Sequence, residues 1–269
     1  MGYTKIIQYG NVTEVYNYEK SHKTETSSSR KARLRKHKNR LYHAVYGTSD
    51  VKKDRAKRAK DLARKKGIYK RSDASIRRSK TNFFRLCHHN NVSADTINFI
   101  TLTFLEDHPY EKTLLYVKIF FNKLRESYSE RPISYIAVPE LTKKGRFHFH
   151  LLVYDLPSNT AERERETRNV QRQFQRGYVD VRPATYTSKG IAGYMAKYMA
   201  KALSDEKYGA IRGYNCSRNI KKVTTYGSNS LSSYASLIIP TENVAEIEEA
   251  SYDVPYLGTC SFKKITKKL

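Results

Sequence analysis

The residues of this chain best suited to chemistry lie in a doubled Tyr-Met-Ala-Lys unit that runs from Tyr194 to Lys201. A repeat of four matches the helical period, so Tyr194, Lys197, Tyr198 and Lys201 share one face of a predicted helix over 189–203. This polar face carries two potential nucleophiles, the phenols, and two cations. Taken alone, the repeat favours an ordinary surface helix with solvated lysines over a site of chemistry.

Two histidines, His148 and His150, lie in a predicted strand over 146–154, where alternate side chains share a face. The preceding predicted strand, 133–140, ends at Glu140, and a short turn makes the two strands an antiparallel hairpin. With Glu140 opposite His148, one carboxylate and two imidazoles converge on one face. Such a set leaves coordination positions open, and Mg²⁺ or Mn²⁺ would suit phosphate chemistry. The His-x-His pattern alone fits equally well a pair of histidines that are exposed or hydrogen-bonded and bind no metal.

The elements that must position these residues alternate between strands and helices. The sequence predicts the order strand, helix, strand, strand, helix, strand over residues 98–104, 111–130, 133–140, 146–154, 162–176 and 178–182. Pro132 is expected to stop the first helix and Gly177 to end the second. This order is the split βαβ arrangement, so the predicted class is α+β, a ferredoxin-like (RRM-like) antiparallel sheet with the tyrosine helix added.

The charge of the chain indicates a polyanionic partner, because 51 Lys and Arg stand against 26 Asp and Glu, a net charge of +25. Between Arg30 and Lys80, 21 basic residues accompany 4 acidic ones, which predicts an electrostatic arm for phosphate contact. A short hairpin around Gly10 is predicted before it.

Hydropathy and cysteine usage bound the location. No apolar run approaches the roughly 20 residues of a spanning helix, and no signal peptide opens the chain, so we expect a soluble protein without a membrane partner. The three cysteines contain no Cys-x-x-Cys pair. This argues against a disulfide framework and a structural zinc site, and favours reduced thiols in a cytosol.

Three parts are expected along the chain. They are a basic N-terminal extension over 1–80 that contacts DNA, a core over 81–203, and an irregular C-terminal extension over 204–269. Further DNA contacts are expected from basic residues beside the hairpin turn and in the C-terminal extension, namely Lys143, Lys144, Arg146 and Arg218.

Three segments in this order resemble the HUH endonucleases: Phe99–Phe104, then Gly145–His150 with Glu140 upstream, then the doubled Tyr-x-x-Lys. The likeness covers about residues 97–203. It is greatest for the two-tyrosine rolling-circle replication initiators (Rep) of single-stranded DNA phages and related plasmids.

The resemblance implies a metal-dependent nickase and strand transferase acting on single-stranded origin DNA. The carboxylate and the two imidazoles would hold the divalent cation. Tyr194 or Tyr198 would attack the scissile phosphate, giving a 5′-phosphotyrosyl bond and a free 3′-hydroxyl, and the other would serve in rejoining the ends. Lys197 and Lys201 would favour the phenolate.

The resemblance also implies partners and leaves alternatives. Because no P-loop motif occurs, a helicase and a DNA polymerase of a bacterial host would be needed, and the host cytoplasm would be the location. Single-tyrosine transposases and conjugative relaxases share the paired histidines, so an HUH protein of another mobile element is one alternative. The other is a non-catalytic basic nucleic-acid-binding module that stacks Tyr and Phe on bases.

Overall fold

The structure is a computed structural model that describes residues 2–20, 71–94, 96–142, 146–156, 163–184, 188–204, 212–228, 239–254 and 257–268. The chain divides into two compact units. We call residues 70–223 the core unit, and residues 1–69 with 224–269 the second unit. Most of the basic stretch over 30–80 lies outside the described residues, as do Lys143 and Lys144.

Both units contain an antiparallel five-stranded sheet, and the class is α+β as predicted. In chain order the elements are β1 (Tyr3–Tyr9), β2 (Val12–Tyr18), α1 (Asp73–Ser93), β3 (Ile97–Phe104), α2 (Tyr110–Ser127), β4 (Ser134–Leu141), β5 (Phe147–Tyr154), α3 (Arg163–Gln173), β6 (Gly177–Pro183), α4 (Ser188–Ser204), β7 (Asn215–Cys216), β8 (Thr224–Ser228), β9 (Val244–Val254) and β10 (Gly258–Lys267). Within the described ranges, no helix has both the length and the apolar character to span a membrane.

The sheet of the core unit has the strand order β6-β3-β5-β4-β7. Its first four strands, with α2 between β3 and β4 and α3 between β5 and β6, form the predicted split βαβ arrangement. The short strand β7 adds an edge beside β4, where Cys216 lies opposite Ile136.

Alternation along β5 sends its side chains to two separate cores. Phe149 and Leu151 pack with residues of α2 such as Phe121 on one face of the sheet. Leu152 and Tyr154 pack on the other face, against α1 and α4. Burial of an apolar side chain is worth about 1.5–3 kcal/mol. A one-residue slip of β5 would move its side chains to the wrong faces and so destabilise both cores at once. The register that places Glu140 is therefore fixed by packing.

Helix α1 begins at Asp73, inside the stretch assigned from sequence to the basic arm. The side chain of Ser72 caps it by accepting a hydrogen bond of 3.3 Å from the backbone N–H of Ser75. The first turns are basic and exposed, while Phe83, Leu86 and Cys87 further along are buried against the sheet. Because its first turns are basic, the sequence pattern of α1 did not indicate that the later turns carry an apolar stripe.

The expectation that Gly177 ends the second helix is wrong. α3 ends at Gln173, and Gly177 is the first residue of β6. A Cβ atom at Gly177 would lie 1.8 Å from the carbonyl oxygen of Thr103. Glycine is needed here because the backbones of β6 and β3 approach closely, not because of a helix cap.

The second unit contains a sheet of order β8-β1-β2-β10-β9. The predicted hairpin around Gly10 is confirmed, with Tyr9 opposite Val12 and Gly10 at a φ of +55°. The expectation of an irregular C-terminal extension is wrong, because β9 and β10 are long paired strands. β9 is exposed and acidic along its length, so it lacks the alternation that predicts a strand.

Candidate active site

Helix α4 lies on the sheet through an apolar stripe. Its buried residues are Ala192, Met195, Ala196, Met199 and Leu203, which pack with α1 and β4. Tyr194, Lys197 and Lys201 lie outside this stripe and are exposed, so the predicted amphipathic helix is confirmed.

The two tyrosines of α4 form a pair. Their hydroxyl oxygens are 2.6 Å apart, and their rings meet edge to face at 4.9 Å between centroids. Tyr194 is 44% exposed, whereas Tyr198 is half-buried. The hydrogen bond with Tyr194, helped by burial, raises the pKa of Tyr198 to about 12. One helical turn thus brings both phenol oxygens to a single point at the surface.

The tyrosine pair lies against the sheet through aromatic contacts. The ring centroid of Tyr198 is 4.2 Å from that of His150, and Phe99 also stacks with His150, at 5.7 Å between centroids. Phe99 also meets Tyr194 edge to face at 5.7 Å. These contacts orient the imidazole and both phenols relative to one another.

Sequence reasoning did not assign Phe99 or Thr101 to the site. Thr101 lies opposite His150 in the β3–β5 ladder, and its hydroxyl is 3.4 Å from Nδ1 of that ring. The alternation of side chains along β3 places Phe99 and Thr101 on the same sheet face as His150. Once β3 is known to neighbour β5, that alternation identifies them.

Glu140 joins the sheet to the helix. One carboxylate oxygen is 2.8 Å from Nε2 of His150, and the other accepts a hydrogen bond of 3.0 Å from Nζ of Lys201. Burial alone would raise the pKa of this carboxyl, but its hydrogen bonds to His150 and Lys201 outweigh that effect and lower it. Glu140 is therefore an anion held by two partners.

His148 lies directly opposite Glu140 in the β4–β5 ladder, as predicted. Burial and the neighbouring His150 lower its pKa, which favours the neutral imidazole that binds metals. Among the residues that the structure describes, no three His, Cys, Asp or Glu side chains are gathered closely enough to hold one ion. The structure thus joins Glu140 to His150, and His148 shares their face without completing a three-ligand group.

The other predicted site residues are spread over the core unit. Lys197 is exposed on α4. Arg146 is exposed immediately before β5, and its backbone oxygen accepts a hydrogen bond of 2.9 Å from the backbone N–H of Thr142. Arg218 lies in the turn after β7, outside the tyrosine site.

Comparison with known proteins adds the family context. Residues 97–203 match the family model of the replication-associated protein ORF2/G2P. The phasyl DNA replicon protein arp of Escherichia coli is 29% identical over 160 residues, which cover 50% of this chain and 54% of that protein. The chain thus spans about half the length of this curated relative. No solved structure matches the chain.

The matched range begins at the first residue of β3 and ends within α4. It contains Glu140, His148, His150 and both tyrosines. The candidate site therefore lies wholly inside the region that is similar to the replication-associated ORF2/G2P proteins.

Proposed function

We propose that this protein is a replication initiator that nicks single-stranded origin DNA through a tyrosine and rejoins the ends in rolling-circle replication. The observation that carries the proposal is the tyrosine pair, whose hydroxyls lie 2.6 Å apart on a helix docked over Glu140 and His150. The similarity of residues 97–203 to replication-associated proteins supports it.

The proposed cleavage exchanges one phosphoester bond for another. A phenol oxygen bonds to phosphorus while the bond from phosphorus to the 3′ oxygen breaks. The phenol gives up its proton and the leaving 3′ oxygen gains one. The 5′ end is then held as a phosphotyrosine, and the free 3′-hydroxyl can be extended by a host polymerase with a host helicase.

The second phenol explains how ends would be rejoined. Because the two phenol oxygens are only 2.6 Å apart, Tyr194 and Tyr198 can both reach a phosphorus beside the pair. While one tyrosine holds the first 5′ end, the other cleaves the regenerated origin. The new 3′-hydroxyl then attacks the first phosphotyrosine, which releases that phenol and closes a circle.

A divalent cation, Mg²⁺ or Mn²⁺, fits the donor chemistry of Glu140, His148 and His150, which offer one anionic carboxylate and two imidazoles on one sheet face. When bound, it would polarise the scissile phosphate and stabilise its developing charge. Lys201 orients Glu140, and Phe99 with Thr101 orients His150. Arg146 is exposed two residues before His148, and we assign it to backbone phosphate contact.

The proposal is tested by incubating the protein with a single-stranded origin oligonucleotide and Mn²⁺, then searching for a covalent adduct on a denaturing gel. We expect an adduct with the intact protein, with Tyr194→Phe and with Tyr198→Phe. The double variant should give none. Tyr178→Phe, which alters a 63% exposed tyrosine on β6, is the matched control and should react normally. Absence of an adduct with the intact protein would overturn the proposal.

His148 has a separate test. His148→Ala should abolish metal-dependent cleavage and leave salt-sensitive DNA binding largely intact, because the basic surface is unchanged. Cleavage at the unaltered rate would remove His148 from the site.

A further inference from the structure

A second concave surface lies in the core unit, at the sheet edge formed by β7 and beside α2. It encloses a cavity of about 1140 Å³. We call it the edge groove, and its basic lining residues are Arg71, Lys118, Arg125, Arg212 and Arg218. None of the described residues that line it is acidic, and none belongs to the tyrosine site.

The cations of the edge groove are spread along it. Lys118 and Arg125 are seven residues apart on α2, which separates them by about 10 Å along the helix axis. Arg212 and Arg218 lie on the opposite wall, before and after β7. Positive charge distributed in this way matches a row of phosphates better than a single small anion.

Both walls of the groove are held in place by hydrogen bonds. Arg125 donates from Nε to the backbone oxygen of Ile133 at 3.1 Å, and its guanidinium lies 5.9 Å from the ring of Tyr135. On the other wall, Ser217 and Tyr135 exchange two hydrogen bonds of 3.0 Å. Asn219 donates to the backbone oxygens of Pro132 and Ile133 at 3.1 Å each. A ligand would meet a preformed surface.

We infer that the edge groove binds the phosphate backbone of a DNA single strand, as a contact surface separate from the tyrosine site. This inference rests on the proposed function, in which single-stranded DNA is the substrate. The cavity exceeds the roughly 300–1,000 Å³ of typical small-molecule pockets, and its described lining contains five basic residues and no acidic one. Tyr135, which lines the groove, is five residues before Glu140 on β4, about 17 Å along the strand, and this odd spacing puts the two side chains on opposite faces of the sheet. A DNA strand that contacts both places would pass around the sheet edge formed by β7.

The test compares the salt dependence of DNA binding between charge-matched variants of the full chain. Binding of a labelled single-stranded oligonucleotide is followed by fluorescence anisotropy across a salt series. Arg212→Gln with Arg218→Gln should reduce the slope of log K against log salt by about 1.4, since each single-strand phosphate contact contributes about 0.7. Arg172→Gln with Arg182→Gln removes two exposed arginines near β6, at the opposite sheet edge, and should leave the slope unchanged.

A variant that adds a positive charge provides a second test, because a misfolded protein would not show the stronger salt dependence that it predicts. Asn122 lines the groove on α2 between Lys118 and Arg125, so Asn122→Lys should steepen the slope by about 0.7. Equal slopes for the groove pair, the β6 pair and the intact chain would overturn the inference. This outcome is independent of the covalent adduct, whose absence would instead overturn the proposed function.

Discussion

At the scale of single residues, Glu140 connects the parts of the candidate site. Its contact with His150 followed from the sequence, because strand parity and the turn length fix which side chains of β4 and β5 share a face. Its contact with Lys201 did not follow, because that pairing depends on how α4 docks on the sheet. The sequence predicted Lys201 as a partner of a phenol, whereas the structure pairs it with the carboxylate.

Replacing Lys201 tests whether this pairing positions Glu140. Lys201→Gln should slow adduct formation about 10-fold, because a hydrogen bond to a charged group is worth about 1.5 kcal/mol or more. The Lys201 side chain is 70% exposed, so stability should change by less than about 1 kcal/mol. Single-turnover adduct kinetics and a thermal melt separate the two effects.

Lys201→Arg keeps a cation and a hydrogen-bond donor at this position, so it is the matched control. We expect it to retain most of the rate of adduct formation. A Gln variant as fast as the intact protein would show that the pairing has no part in the reaction.

At the scale of elements, local patterns predicted the core unit well. The β4–β5 hairpin and the amphipathic α4 follow from period two and period four within short segments. The β1–β2 hairpin was predicted for the same reason. Its neighbours β8 and β10 were not, because they lie more than 200 residues further along the chain, and such pairings leave no local pattern.

Two glycines of the core unit should respond to substitution in opposite directions. Gly177→Ala places a methyl group 1.8 Å from the Thr103 carbonyl oxygen and should lower the free energy of unfolding by more than about 1 kcal/mol. Gly193→Ala, inside α4, meets nothing within 4 Å and should raise it by about 0.5–1 kcal/mol. Chemical denaturation measures both, and a Gly177→Ala variant at least as stable as the intact protein would contradict the placement of β6 against β3.

At the scale of the whole molecule, the site and the region similar to replication-associated proteins fall inside one unit, residues 70–223. The charge of +25 extends well beyond that region, with 21 basic residues between Arg30 and Lys80. We expect this charge to set how strongly the protein holds DNA, and the tyrosine site to set what it does to it.

The most direct test of the central claim is to map the covalent bond in the intact protein. After reaction with a single-stranded origin oligonucleotide and nuclease trimming, trypsin cleavage after Lys197 places Tyr194 and Tyr198 in different peptides. We predict a nucleotide mass on the peptides that carry Tyr194 or Tyr198, and on no others. A nucleotide mass on a peptide from elsewhere in the chain, or recovery of every peptide unmodified, would contradict it.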